Sequence, residues 1–194
     1  ADGTTVYLNA ESELRFPKQF RGKNRKVYLT GEGYFDVQRN EKQPFIVEAQ
    51  QVEVRVLGTS FGVRAYTKEE NVLTTLIQGR VNVEADGQQV ELNPGQQADF
   101  NRGNDRLTVA EVDVEQYVGW KDGRLVFDNK PLEFILEELG RWYSFDVFYT
   151  NKELKEIPYS LNIKKHEDIA HVLKFIERTG KVKFEVNKNM IIVK

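Results

Sequence analysis

From Thr4 to about Val112, apolar and polar residues alternate in short runs broken by Gly, Asn and Asp. This is the period of two expected where every second side chain turns toward a core. The runs predicted as strands are Thr5 to Leu8, Glu13 to Phe16, Arg25 to Leu29, Gly33 to Gln38, Pro44 to Ala49, Val52 to Leu57, Ser60 to Tyr66, Asn71 to Gln78, Arg80 to Ala85, Gln88 to Leu92, Gln96 to Phe100 and Leu107 to Val112. About a dozen short strands in one flat sheet would leave long edges exposed. The pattern therefore predicts an all-β domain over residues 1–113, double-layered or built as a β-helix-like sandwich.

A loose internal similarity supports layering. Val27-x-Leu29-x-Gly31, followed by Phe35-x-Val37, shares a strand, glycine, strand layout with Val54-x-Val56-Leu57-Gly58-x2-Phe61-x-Val63, and Leu76-x2-Gly79-x-Val81-x-Val83 echoes it. Each glycine is expected where the chain turns or bulges to change sheet. Their spacing is irregular, which argues against a solenoid of fixed period.

After Val112 the pattern changes to that of a second domain, residues 114–194. A turn at Asp122-Gly123 precedes a strand, Arg124 to Asp128, and Pro131 then opens a helix. Leu132, Ile135, Leu136, Leu139, Trp142 and Tyr143 form its apolar stripe, which places Trp142 in the core. Phe145 to Tyr149 and Tyr159 to Ile163 read as strands. A second helix runs from Asp168 to Arg178, with Ile169, Val172, Leu173 and Ile176 on one face and Gly180 as its stop. Lys181 to Val186 and Met190 to Val193 close the domain as a hairpin. The order is β-α-β-β-α-β-β, a small α+β domain.

Composition fits a folded chain in water. Apolar residues make up 40% and charged residues 30%, and no run approaches the roughly 18 to 20 apolar residues of a membrane span. Ala1 to Thr5 show neither the positive n-region nor the apolar h-region of a secretion leader. Residues 1–113 hold 14 Lys and Arg against 17 Asp and Glu, so neither half is strongly charged. That balance argues against a dedicated nucleic-acid binder. The absence of Cys removes disulfides, thiolate metal sites and thiol nucleophiles.

Candidate chemistry is sparse. The chain has two histidines, His166 and His171, whose spacing is poor for sharing a metal and suits surface or capping roles. Glu32, within Gly31-Glu32-Gly33, and Asp36 read as solvated charges rather than a glycosidase pair. The densest basic stretch, Arg15 to Lys26, carries six cations and two phenylalanines. It reads as a solvated loop anchored by Phe16 and Phe20, or as a docking patch for an acidic partner. No cofactor, metal site or catalytic residue is expected. In the small domain at least one strand edge should stay open to a partner strand. The candidates are Tyr159, Leu161 and Ile163 on one strand and Met190 and Ile192 on the last, and the sequence does not choose between them.

Several ordered motifs carry a resemblance. Asp2-Gly3-Thr4-x-Val6-x-Leu8-Asn9-Ala10-x-Ser12-x-Leu14, then Phe16-Pro17-x2-Phe20, Gly31-Glu32-Gly33-Tyr34-Phe35-x-Val37, Pro44-Phe45-x-Val47, Val56-Leu57-Gly58-Thr59-x-Phe61-x-Val63 and Leu92-x-Pro94-Gly95-Gln96-x-Ala98 together resemble the FecR family of anti-sigma regulators. Trp120-x2-Gly123-x3-Phe127-x3-Pro131-Leu132 with Leu139-x-Arg141-Trp142-Tyr143 resembles the C-terminal domain that follows in Bacteroidetes members, which is similar to the STN module of secretins and TonB-dependent receptors.

The resemblance implies a non-enzymatic periplasmic sensor region of a single-pass inner-membrane protein, whose anti-sigma segment and transmembrane helix lie outside this sequence. Its implied partner is the N-terminal signalling domain of a TonB-dependent outer-membrane receptor. An extracytoplasmic-function sigma factor would be reached only through the missing segment. The alternative from another class is a carbohydrate- or small-ligand-binding β domain, which needs a concave pocket lined by exposed aromatics.

Overall fold

The computed structural model describes residues 2–165 and 167–194, and the chain divides into two compact units, Ala1–Lys121 and Asp122–Lys194. The first unit contains β1 (Thr5–Leu8), β2 (Glu13–Arg15), β3 (Arg25–Asp36), β4 (Phe45–Ala49), β5 (Val52–Val56), β6 (Ser60–Ala65), β7 (Asn71–Gln78), β8 (Val81–Ala85), β9 (Gln88–Leu92), β10 (Gln96–Asn101) and β11 (Arg106–Glu111). They follow one hydrogen-bonded path, β11-β10-β7-β6-β3-β4-β5-β8-β9, with β1 and β2 also on β3.

The sequence reads Arg25 to Leu29 and Gly33 to Gln38 as two strands, but the backbone runs through as a single 12-residue β3. Its first half pairs with β2 and β4 and its second half with β1 and β6. The switch falls at Gly31, whose φ of +92° suits glycine and whose added Cβ would stand 2.4 Å from Ser12 Oγ. Two layers therefore share one strand. The chain changes layer again between β5 and β6 at Gly58 and between β7 and β8 at Gly79, as the glycine pattern led us to expect.

Alternation along these strands fills the space between the layers. Phe35, Phe45, Phe61, Leu76, Leu92 and Phe100 are buried, and Phe35 stacks on Phe61 at 5.2 Å while also reaching Phe45 at 6.2 Å. β3 and β4 run parallel, whereas the other pairings of this unit run antiparallel. A parallel neighbour requires the chain to travel back along the sheet. Residues 37–44 make that return, and Arg25 holds them. Its side chain is 1% exposed and donates to Gln43 O (2.9 Å), Gln38 O (2.8 Å) and the Asp2 carboxylate (2.7 Å), with the guanidinium 5.4 Å above the Phe45 ring.

Glu32 is not the solvated charge that its glycine neighbours suggest. It is 4% exposed, accepts from Asn9 Nδ2 at 2.7 Å, and lies 3.4 Å from Arg64, which also makes a bidentate pair with Glu69. Asp36 is exposed and accepts from Ser60. The segment after residue 113 stays with the first unit. Helix α1 (Glu115–Val118) and the 3-10 turn Gly119–Asp122 set buried Val118 over Gly62, where an added Cβ would approach it to 3.0 Å.

The second unit holds β12 (Arg124–Pro131), α2 (Leu132–Tyr143), β13 (Asp146–Tyr149), β14 (Pro158–Lys164), α3 (Ile169–Glu177), β15 (Phe184–Asn187) and β16 (Met190–Val193). β12 and β14 form one antiparallel pair. In the other sheet β16 lies between β13, to which it is parallel, and antiparallel β15. Leu132, Ile135, Leu136 and Leu139 of α2 and Val172, Leu173 and Ile176 of α3 are buried, as their periodicity predicts. Trp142, expected in the core, is only half-buried at the end of α2, with Lys165 Nζ 5.6 Å from its ring centre.

Candidate partner-binding groove

The site is built on β14. Its side chains alternate strictly, with Tyr159, Leu161 and Ile163 buried and Ser160, Asn162 and Lys164 exposed. Because the inward residues are β-branched or large, the strand is held flat on the core. One backbone edge pairs with β12, and among the described residues no strand pairs with the other.

Helix α3 stands beside this strand, across a groove lined by both. Asp168 caps its start by accepting from Ala170 N at 2.9 Å, and the turn before it is tied by Tyr143 Oη donating to Glu167 O at 2.7 Å. Burial and the neighbouring Glu167 and Asp168 charges push the Tyr143 phenol above its ordinary value, so it stays a donor at neutral pH. With Val172, Leu173 and Ile176 turned inward, His171, Lys174, Phe175 and Arg178 fall together on one flank of the helix.

Between this flank and the segment Ser160 to Ile163 runs a groove of about 440 Å³. Phe175 is 58% exposed beside it. Lys174 and Arg178 form no ion pair with a described carboxylate, while Glu167 has one oxygen bound by Lys164 N at 3.2 Å. The arrangement offers a strand edge, an apolar contact and positive charge in one place, which suits an extended, acidic segment of a partner.

The five sequence candidates therefore separate. Tyr159, Leu161 and Ile163 lie on the open-edged strand, but their side chains face the core, which leaves the backbone and the alternate residues for a partner. Met190 and Ile192 do not lie on an edge, because both sides of β16 are occupied by β13 and β15. They share the sheet face that carries exposed Phe148 instead. The closing hairpin of β15 and β16 forms as expected, but its last strand is not an edge, because β13, more than 40 residues earlier in the chain, returns to pair with the far side of β16.

The sequence reading passed over Lys174, Phe175 and Arg178. An available signal was Phe175 itself, a large apolar residue standing off the inward stripe of an otherwise amphipathic helix. Among the described residues no cluster of three or more His, Cys, Asp or Glu side chains is placed to hold a metal ion. His171 lines the groove, and His166 lies outside the described residues.

Comparison with known proteins agrees with this division. Residues 1–82 match the family model described as FecR protein, and residues 124–193 match the model described as FecR, C-terminal. Two crystal structures of a candidate anti-sigma factor from Parabacteroides distasonis ATCC 8503 are similar to the chain at 28% identity, with TM-scores of 0.90 and 0.89. The alignments cover 100% and 99% of this chain and 91% and 90% of those chains. No curated protein matches it. Both family models occur here in order and between them span most of the residues, and the whole two-unit chain shares its fold with that anti-sigma candidate: the chain belongs to the FecR family.

Proposed function

We propose that this chain is the sensor region of an anti-sigma regulator, acting by protein contact rather than by chemistry. In this reading it lies in the periplasm and receives the N-terminal signalling domain of a TonB-dependent receptor on its second unit. The signal then passes to an extracytoplasmic-function sigma factor through a segment outside this sequence. The STN-like character of the second unit belongs to the same proposal. Family membership and the likeness to the Parabacteroides protein support the regulatory role.

The observation that carries the contact surface is the open edge of β14 beside the basic, aromatic flank of α3. Edge pairing supplies main-chain hydrogen bonds, and the flanking side chains supply specificity. Calorimetric titration of the chain with the receptor's signalling domain tests this. Lys174→Glu combined with Arg178→Glu should weaken binding by about tenfold or more while the thermal midpoint stays unchanged, since both side chains stand in solvent. Undiminished binding by the double variant would move the contact elsewhere.

A further inference from the structure

The basic stretch between β2 and β3 is not used by the groove. Of its six cations, Arg25 is buried on Asp2, Arg15 pairs with Glu13, and Lys26 pairs with Glu48 and lies 3.6 Å from Glu53. Lys18, Arg21 and Lys23 remain. Arg21 donates only to Gln19 Oε1, and none of the three meets a described carboxylate.

These cations stand on a fixed support. Phe20 packs edge-on against Phe45 at 6.2 Å, and the Gln43 amide donates to Gly22 O at 2.7 Å and Phe20 O at 3.3 Å. Phe16, at the start of the loop, is 60% exposed, and Tyr28, paired with Arg15 across β2 and β3, is 50% exposed. Residues 16–19 and 21–24 are all exposed, so the loop projects outward. Positive charge and aromatic surface are thus presented together on a pre-ordered, exposed loop.

We propose that this loop docks the first unit on the surface of an anionic lipid bilayer, with Lys18, Arg21 and Lys23 at the headgroups and Phe16 in the interface. Cations beside exposed aromatics are the chemistry of interfacial binding. The surroundings select a surface touched only at the tip. Glu48, Glu53 and Glu84 lie side by side in one cross-strand row that continues from Tyr28, and the cations beside it, Lys26 and Arg55, are already paired with Glu48 and Glu53, so this row offers a long polyanion laid across the sheet no unpaired cation. A bilayer meets the loop and stops. The depression beside Phe16 and Tyr28 is walled by Arg15 and Lys26, whose charges are already paired, which again leaves the tip to the anion.

Each cation near such a surface is worth about a fivefold gain in partitioning, so three give about a hundredfold preference for anionic over neutral vesicles. The test is co-sedimentation of the chain with vesicles of phosphatidylcholine alone and of phosphatidylcholine with about 30% phosphatidylglycerol, in low salt and in about 0.5 M NaCl. Binding should appear only on the anionic vesicles and vanish in high salt. Combined Lys18→Gln, Arg21→Gln and Lys23→Gln should cost about a hundredfold. Phe16→Ser should weaken binding without removing its salt dependence, and circular dichroism should show both variants folded.

No binding, equal binding to both vesicles, or full binding by the triple variant would overturn the proposal. So would salt-sensitive binding to poly-L-glutamate with none to vesicles, which would assign the loop to an acidic protein instead.

Discussion

Replacing Arg25 with Met tests whether one buried cation holds the parallel return of the first unit. Methionine keeps most of the stem over Phe45 but gives up the donors to Gln38 O, Gln43 O and Asp2. Removing one partner of a buried pair costs about 3–5 kcal/mol, because the groups left behind keep their desolvation without their bonds. Two features reduce the loss here. Arg25 Nη2 has no partner, so the guanidinium is itself incompletely satisfied, and Asp2 is near enough to solvent to rehydrate. About 3 kcal/mol remains, which for a unit of this size corresponds to a fall of about 10 °C in the thermal midpoint.

A pH dependence accompanies the change. Burial raises the Asp2 pKa, but hydrogen bonds from Arg25 and Thr4 outweigh it and hold the carboxyl below its ordinary value. A depressed carboxyl contributes stability above its unfolded value and loses it as pH falls through the folded one. The gap between wild type and Arg25→Met should therefore be full at neutral pH and shrink below about pH 4. Calorimetry of the first-unit transition from neutral to acid pH measures both effects. A midpoint within about 1 °C of wild type, or a gap that does not change with pH, would refute the reasoning.

Gly31→Ala should destabilise the first unit by about 2–4 kcal/mol in urea unfolding, since alanine at that positive φ also collides with Ser12. Gly87→Ala, with positive φ but open space around it, should cost only about 1 kcal/mol; equal losses would show that φ alone decides. Where Glu32, Arg64 and Glu69 meet, Arg64→Met removes the cation that two carboxylates share and should cost about 3–5 kcal/mol. Glu32→Gln keeps an acceptor and leaves Arg64 on Glu69, so its loss should be about 1–2 kcal/mol, and the reverse order in denaturant titrations would contradict the geometry.

Much of this protein is written locally. Alternation from Val52 to Val56 or Val81 to Ala85 needs only the strand's period of two to assign inward and outward faces, and the stripe from Leu132 to Leu139 needs only the helix's 3.6. Glycines at 31, 58 and 79 likewise mark changes of layer, because the backbone needs room or positive φ there whatever its neighbours are. The ordered motifs identified the family, and among the described residues the strand carrying Tyr159, Leu161 and Ile163 pairs on one edge only.

What the sequence leaves open is which strand lies beside which. Residues 25–29 and 33–38 read as two strands because nothing local shows that one backbone run serves both layers, its first half pairing with β2 and β4 and its second with β1 and β6, which come from both directions along the chain. The final strand reads as an edge because nothing near it in sequence announces that β13 will pair in parallel on its far side. Arg25 and Glu32 read as surface charges because their burial depends on partners at Gln38, Gln43 and Arg64. Period and propensity act between residues a few positions apart; strand adjacency, and the burial of charge that follows from it, is decided by contacts between distant segments, and only the tertiary structure contains them.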